Sequence, residues 1–97
     1  MFRYFTVATD GLTDEQNRAL AEAWKPYGWW HWLPNFWLIK DSTGVLSAHV
    51  LRDEILRVAP TTTAMVLEVE PKDWGGMFPE VGPQRDWLRD HWPPEHV

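Results

Sequence analysis

The sequence predicts an α+β fold in which a four-stranded antiparallel sheet carries two helices on one face. Two segments repeat their apolar residues at helical spacing, and four short segments are rich in aromatic and β-branched residues, as strands are. The chain has 97 residues, of which 44% are hydrophobic and 24% charged, and this is the size and composition of one globular domain. The predicted elements follow in the order strand, helix, strand, strand, helix, strand.

The first strand and the first helix are separated by a turn signal. The strand is predicted over 2–8, and the pair Asp10-Gly11 after it is typical of turns. The helix is predicted to begin at Thr13, because Thr13 and Gln16 have the spacing of a capping box, in which each side chain accepts a hydrogen bond from the other residue's backbone.

A hairpin, a second helix and a fourth strand complete the pattern. The aromatic runs 29–33 and 36–40 flank a two-residue turn and predict a β-hairpin. Ser47 is the predicted N-cap of the second helix, whose apolar residues recur on one face. The fourth strand is predicted over 61–69.

This order of elements is the ferredoxin-like βαββαβ arrangement. We predict a single domain over 1–97, with a ferredoxin-like core at 1–70 and a C-terminal extension at 71–97. The extension is rich in proline and glycine and contains a short predicted helix at 84–91.

Both faces of the predicted sheet are apolar, because large apolar residues occupy consecutive positions in 29–33 and 36–40. A ferredoxin-like sheet has helices on one face only, and its other face is polar where it meets water. Two coverings are therefore open: a two-fold homodimer that buries sheet against sheet, or the tail of the same chain folded back, and the two are compatible. For the dimer or a partner protein, the predicted interface residues are Tyr4, Trp29, His31, Phe36 and Leu38.

Charge and composition weigh against several function classes. The formal net charge is −5 with nine Lys and Arg residues, which disfavours binding to nucleic-acid phosphates. The absence of cysteine excludes disulfides and cysteine nucleophiles. No apolar run approaches the length of a membrane span and no signal-peptide pattern opens the chain, so we expect a cytoplasmic protein.

Short motifs spread over 2–92 form a recognisable set. They are an Asp after the first strand, Trp29-Trp30-His31, Trp37-Leu38-Ile39-Lys40, Ser47-Ala48, the apolar strand at 65–69, Asp73-Trp74-Gly75 and Trp87-Leu88. This set resembles SinR-like proteins, small bacterial and phage proteins related to the small endonuclease of the CRISPR adaptation complex and to VapD-type toxins. The resemblance implies a ferredoxin-like fold and a homodimer.

For the related nuclease, the resemblance implies an Asp at the end of the first strand of each subunit, paired across the two-fold axis to hold a divalent metal. Asp10 matches this position and is the candidate catalytic residue and Mg²⁺ ligand, with Asp14 and Asp41 as candidate supporting carboxylates. The chain departs from the pattern in its acidic charge and in Thr9, where relatives commonly have a tyrosine before the Asp. The alternative interpretations are that Asp10 and Gly11 are turn residues, that Asp14 is a helix-dipole residue and that Asp41 is a loop residue.

Three function classes remain open at this point. The favoured one is a dimeric, catalytically inactive interaction protein of a bacterium or phage, which binds a host or partner protein and needs no cofactor. The second is a Mg²⁺-dependent endonuclease for RNA or DNA centred on Asp10, and the acidic charge weighs against it. The third is a dimer that encloses an apolar pocket for a small molecule, by analogy with the fold.

Overall fold

The computed structural model describes residues 2–78 and 82–92. Its elements are β1 (Arg3–Thr9), α1 (Asp14–Ala23), β2 (Gly28–Leu33), β3 (Phe36–Asp41), α2 (Ala48–Val58), β4 (Ala64–Val69) and α3 (Pro83–His91). The four strands form one antiparallel sheet in the order β2-β3-β1-β4, which is the strand order of a ferredoxin-like sandwich. The predicted fold class and the predicted C-terminal helix are confirmed, and residues 79–81 and 93–97 of the predicted extension lie outside the described residues.

The first two helices begin where the capping residues predict. In α1 the Thr13 hydroxyl accepts from the Gln16 backbone N–H at 3.1 Å, and the Gln16 side chain accepts from the Thr13 N–H at 2.9 Å. In α2 the Ser47 hydroxyl accepts from the Val50 N–H at 3.1 Å. Each cap satisfies backbone donors that have no partner inside the helix.

The main core lies between the sheet and the helices α1 and α2. Its fully or almost fully buried members are Phe5, Val7, Leu20, Trp24, Trp37, Ile39, Leu46, Leu51 and Ile55. Trp37 of β3 is central, since its ring meets the ring of Trp24 edge-on at 5.0 Å between centroids and that of Trp29 at 5.3 Å. These edge-to-face pairs add to the free energy gained by burying the rings.

The opposite face of the sheet, called the open face below, is partly covered by the chain itself. A second core cluster joins Trp30 and Leu38 of the sheet to Leu88 of α3 and to Trp92 just after it. Tyr4 of β1 meets Trp92 edge-on at 5.3 Å between ring centroids. The tail of the same chain therefore folds back over this face, which is one of the two ways of covering it that the sequence allowed.

The fourth strand is shorter than predicted. It begins at Ala64, whereas the pattern of β-branched residues placed its start at Thr61. The preceding residues form a turn after α2, in which the Thr62 N–H donates to the Ala59 carbonyl at 3.1 Å and the Thr62 hydroxyl donates to the Asp10 carbonyl at 2.8 Å. Hydrogen bonds from a turn thus replace the ladder that β propensity predicts.

The packing of α3 predicts that Leu88→Ala lowers the free energy of unfolding by about 2–5 kcal/mol, because truncation of a buried leucine leaves a cavity. Leu56→Ala is the matched control, since Leu56 on α2 is 57% exposed, and we expect a change within about 0.5 kcal/mol. Urea unfolding followed by circular dichroism measures both. Equal effects of the two substitutions would contradict the packing of α3 on the sheet.

Candidate functional site

Three cross-strand rows of side chains make up the open face. Strand register aligns Gly28, Lys40, Tyr4 and Val69 in one row, Trp30, Leu38, Thr6 and Leu67 in the next, and Leu33, Phe36, Ala8 and Met65 in the third. A row across four strands is about 14 Å wide, at a strand spacing of about 4.8 Å. The rows show which part of the face the chain covers and which part it leaves accessible.

The third row and its neighbour Leu67 are the accessible part. Leu33 is 54% exposed, Met65 62% and Leu67 52%, although all three are large apolar side chains. We call Leu33, Phe36, Ala8, Met65 and Leu67 the exposed apolar row, although Phe36 within it is half-buried against the second core cluster. Met65 and Leu67 are not among the site residues predicted from the sequence, and the signal that could have found them is their alternation with Glu68 on a predicted strand.

The predicted interface residues do not lie on one face. Tyr4, Phe36 and Leu38 are on the open face, where they belong to or pack against the cluster around α3. Burial raises the pKa of the Tyr4 phenol. Trp29 and His31 lie on the helix-facing side, where both rings contact the ring of Trp37.

His31 is a packing residue in this structure. Its ring stacks on Trp37 with centroids 3.7 Å apart and planes 6° apart. Its Nδ1 lies 2.9 Å from the Phe36 carbonyl oxygen, and since a carbonyl only accepts hydrogen bonds, Nδ1 is the nitrogen that donates. The interface expected on His31 and Trp29 therefore does not share a surface with Tyr4, Phe36 and Leu38.

An aromatic groove runs between the open face and the C-terminal segment. Its volume is about 480 Å³. The lining residues are Trp30, Trp32, Leu33, Phe36, Leu38, Trp74, Gly75, Gly76, Met77, Phe78, Gln84, Leu88 and Trp92. We call this space the aromatic groove; it shares Leu33 and Phe36 with the exposed apolar row.

Gln84 is the one lining residue with an amide side chain, and none of the described lining residues is charged. The indole Nε1–H of Trp30 donates to the Gln84 backbone carbonyl at 3.0 Å. This bond ties the start of α3 to β2. Phe78 closes another side, with its ring 6.4 Å from that of Trp30.

Asp10 is an exposed residue at the end of β1, next to the third row. Its backbone N–H donates to the Thr63 carbonyl at 3.0 Å, and Gly11 follows with φ of +72°. A shallow hollow of about 250 Å³ is lined by Asp10 together with Ala8, Thr9, Thr63, Ala64 and Met65. The backbone is that of a turn, and the carboxylate makes no hydrogen bond within the described residues, so it is available to a ligand.

Asp41, a candidate supporting carboxylate, lies at the other end of the sheet. It pairs with Arg3 at the start of β1, whereas Asp10 follows the end of that strand. Its buried carboxylate accepts from the Thr43 backbone N–H at 2.8 Å, the Thr43 hydroxyl at 2.6 Å and the Leu46 N–H at 2.9 Å. Asp41 therefore holds the loop after β3 and is not a supporting carboxylate of Asp10 in the same chain, because register separates the two carboxylates by the length of β1, about 20 Å at about 3.3 Å per residue.

The hydrogen bonds to Asp41 also set its charge state. Burial raises the pKa of this carboxyl, but the hydrogen bonds from Thr43, Leu46 and Gly44 together outweigh burial and hold the pKa below its ordinary value. Asp41 therefore organises the loop between β3 and α2 as an ionised group.

No protein-family model matches the chain, and neither a curated protein nor a solved structure matches it. The resemblance to SinR-like proteins accordingly stays an expectation from the sequence. Over 2–78 and 82–92 there is no helix long and apolar enough to cross a membrane. The same residues contain no group of three or more acidic or histidine side chains that could hold a metal ion within one chain.

The lowered pKa of Asp41 predicts a stability contribution that is present above the pKa of an unfolded Asp, about 3.9, and is lost as the pH falls through the lower folded value. Asp41→Asn should cost about 1–3 kcal/mol at neutral pH, because an amide nitrogen cannot accept from Thr43 or Leu46. Urea unfolding at neutral and acidic pH measures both effects.

The matched control for Asp41 is Asp53→Asn, since Asp53 pairs with Arg52 at 2.9 Å in an exposed ion pair. We expect its effect to stay below about 1 kcal/mol. If Asp41→Asn and Asp53→Asn shifted the acid end of the stability profile equally, the structural role assigned to Asp41 would be refuted.

Proposed function

We propose that the protein is a protein–protein interaction module that works as a homodimer, with the exposed apolar row as the subunit interface. The observation that carries the proposal is the exposure of Met65 and Leu67 on the open face, beside a sheet region that the same chain has covered. Contiguous exposed apolar surface of this kind marks interaction sites on water-soluble domains.

The strand that carries these residues is an unpaired edge. Among the described strands, β4 pairs with β1 only. Its acidic residue, Glu68, is held on the helix-facing side by two hydrogen bonds from the Arg3 guanidinium, at 2.9 and 2.8 Å. On the open face β4 presents Met65, Leu67 and Val69, so the charges that usually protect an edge strand are missing from this side.

A two-fold contact suits the chemistry of this surface. An isologous interface applies the same patch of both subunits to each other, and an uncharged apolar row is chemically self-complementary. The folded-back tail covers two of the interface residues predicted from the sequence, because Leu38 is only 8% exposed and Tyr4 packs on Trp92. The proposed contact therefore centres on Met65 and Leu67 and leaves the second core cluster intact.

The test is the mass in solution of the wild type and of Met65→Glu, by light scattering over a dilution series. We expect a wild-type mass twice that of the chain, and we expect Met65→Glu to raise the dimer Kd by about a hundredfold or more, because like charges meet across the two-fold axis. Circular dichroism checks that the variant is folded.

Leu56→Glu is the matched control for this experiment. Leu56 is a leucine of similar exposure, 57%, but it lies on α2 on the other side of the sheet. It should leave the mass unchanged. A monomeric wild type, or dissociation by Leu56→Glu and not by Met65→Glu, would reject the proposed interface.

A second candidate function is a Mg²⁺-dependent endonuclease, and the position of Asp10 favours it. Asp10 and Met65 line the same hollow, so a dimer through the exposed apolar row brings the two Asp10 carboxylates toward one axis. Mg²⁺ is commonly held by one or two carboxylates with water and phosphate oxygens completing its shell. Asp10 would then be the metal ligand that each subunit contributes.

The nuclease candidate predicts Mg²⁺-dependent cleavage of short RNA or DNA that Asp10→Asn abolishes without changing the circular dichroism or the mass. Asn preserves the turn because its side chain also stabilises Asx-type turns. The control Asp53→Asn, an exposed carboxylate on α2, should cleave like the wild type. Absence of cleavage by the wild type with Mg²⁺ or Mn²⁺ would remove this candidate and leave the interaction module.

A further inference from the structure

We propose that two copies of the chain pair edge to edge through β4, in an antiparallel ladder centred on Val66, so that their sheets join into one sheet of eight strands. The proposal rests on the homodimer proposed above and specifies the register of its contact. It is carried by the direction of the unpaired backbone groups of β4, by the lack of protection along this edge, and by the residues that two-fold symmetry places opposite each other.

Hydrogen bonds at the end of the β1–β4 ladder show which backbone groups of β4 lack a partner strand. The Asp10 N–H donates to the Thr63 carbonyl at 3.0 Å, whereas the N–H of the preceding residue, Thr9, donates to the β3 side of the sheet. Backbone groups alternate in direction along an antiparallel ladder, and the β1–β4 register is unbroken, so the odd-numbered residues of β4 face β1. The residues whose backbone groups face outward, where no described strand pairs with them, are Ala64, Val66 and Glu68.

The two edges of the sheet differ in their protection. The β2 edge has an irregular register and α3 lies against it, since a Cβ added at Gly28 would meet the Trp87 ring at 3.6 Å. The β4 edge is regular and contains neither lysine nor proline, and its one charged residue, Glu68, is paired with Arg3. Lysine, proline and bulges are among the devices that keep edge strands from pairing. Strand β4 is therefore the edge that remains open to another strand.

Two-fold symmetry favours one register for β4 against a second β4. Centring on Val66 places Val66 opposite itself and Ala64 opposite the partner's Glu68, so that all the outward-facing residues of both strands form hydrogen-bonded pairs. This register supplies about six hydrogen bonds between the subunits, about two for each facing pair. Centring on Met65 or Leu67 leaves one outward-facing residue of each β4 unpaired and supplies about four.

The side chains on both sides of the sheet suit the same register. On the open face, Met65 lies opposite the partner's Leu67, and apolar cross-strand pairs of this kind stabilise a sheet. On the helix-facing side, Glu68 lies opposite the partner's Ala64, so the two Glu68 carboxylates stay apart and the ion pair with Arg3 at 2.8 Å is kept. This self-complementarity of apolar surface and charge identifies a second copy of the chain as the occupant of the edge.

The register also separates the two functions proposed above. Asp10 lies across from Thr63, three residues along β4 from Val66 and one strand further from the two-fold axis. The two Asp10 positions are then about 25 Å apart, at about 4.8 Å between strands and about 3.4 Å per residue. One Mg²⁺ ion cannot bridge carboxylates at that distance, because its ligands lie at about 2.1 Å. The edge dimer therefore belongs to the interaction module and not to the nuclease candidate.

The experiment is disulfide cross-linking of single-cysteine variants of the full chain, which has no cysteine of its own. Val66→Cys should cross-link almost completely under mild oxidation with diamide, because the Cα atoms of a hydrogen-bonded facing pair are about 5.5 Å apart, within the range that a disulfide spans. The matched variants are Met65→Cys and Leu67→Cys, whose Cα atoms in this register lie about 8 Å from their own copies, too far for a ready disulfide. Non-reducing gel electrophoresis measures the cross-linked fraction, and circular dichroism checks that each variant is folded.

A face-to-face contact of the exposed apolar row predicts the reverse pattern, because Val66 packs toward the helix-facing core. Cross-linking of Met65→Cys or Leu67→Cys without that of Val66→Cys would overturn the edge register and leave the proposed homodimer standing. A monomeric wild type in light scattering would reject both.

Amide hydrogen exchange of the wild type tests the same register without a substitution. In the edge dimer the N–H groups of Val66 and Glu68 donate to the partner strand, so their exchange should be at least about tenfold slower in the dimer than in the diluted monomer. The N–H groups of Met65 and Leu67 face β1 and are the internal control, which dilution should change far less. Fast exchange at Val66 in a dimer would overturn the edge pairing.

Discussion

The structure depends on one constraint: the central strand β3 carries buried side chains at three consecutive positions. Trp37 and Ile39 are 0% exposed on the helix-facing side, and Leu38 is 8% exposed on the open face. Consecutive residues of a strand point to opposite faces, so this strand cannot be stabilised by a single layer of helices. A ferredoxin-like core of βαββαβ order supplies one layer only, and the second layer has to come from elsewhere.

The C-terminal segment supplies most of that second layer. Leu88 and Trp92 bury Trp30 and Leu38, and the Trp30 indole donates to the start of α3. One short helix is too small to cover a four-stranded sheet, and its limited size produces two features at once. The gap between the segment and the hairpin is the aromatic groove, and the uncovered end of the face is the exposed apolar row. Both candidate sites thus follow from the same incomplete covering.

Short-range sequence signals predicted the helices and strands more accurately than they predicted which face of the sheet each side chain lies on. Thr13 and Ser47 predicted the helix starts because a cap depends on a few adjacent residues. The hairpin was predicted too, but the predicted interface grouped Trp29 and His31 with Phe36 and Leu38, which lie on the opposite face of the sheet. Trp29 and His31 follow the ordinary alternation and both contact Trp37. An irregularity in register between Trp30 and Leu33 then breaks the alternation and aligns Leu33 with Phe36 on the open face. Side assignment in a strand that is apolar on both faces depends on its partners, and these are distant in sequence.

Two carboxylates at opposite ends of the sheet have opposite environments. Asp41 is buried and its oxygens accept three hydrogen bonds from the loop that follows it, so its negative charge is stabilised within the chain. Asp10 is exposed, its backbone holds the turn, and its carboxylate is left without a partner among the described residues. The end of the sheet that carries Asp10 is also the end where the open face stays uncovered, at Ala8 and Met65. Charge and apolar surface that are not satisfied within the chain therefore lie together at this end, and a contact with another molecule here would bury both without disturbing either core cluster.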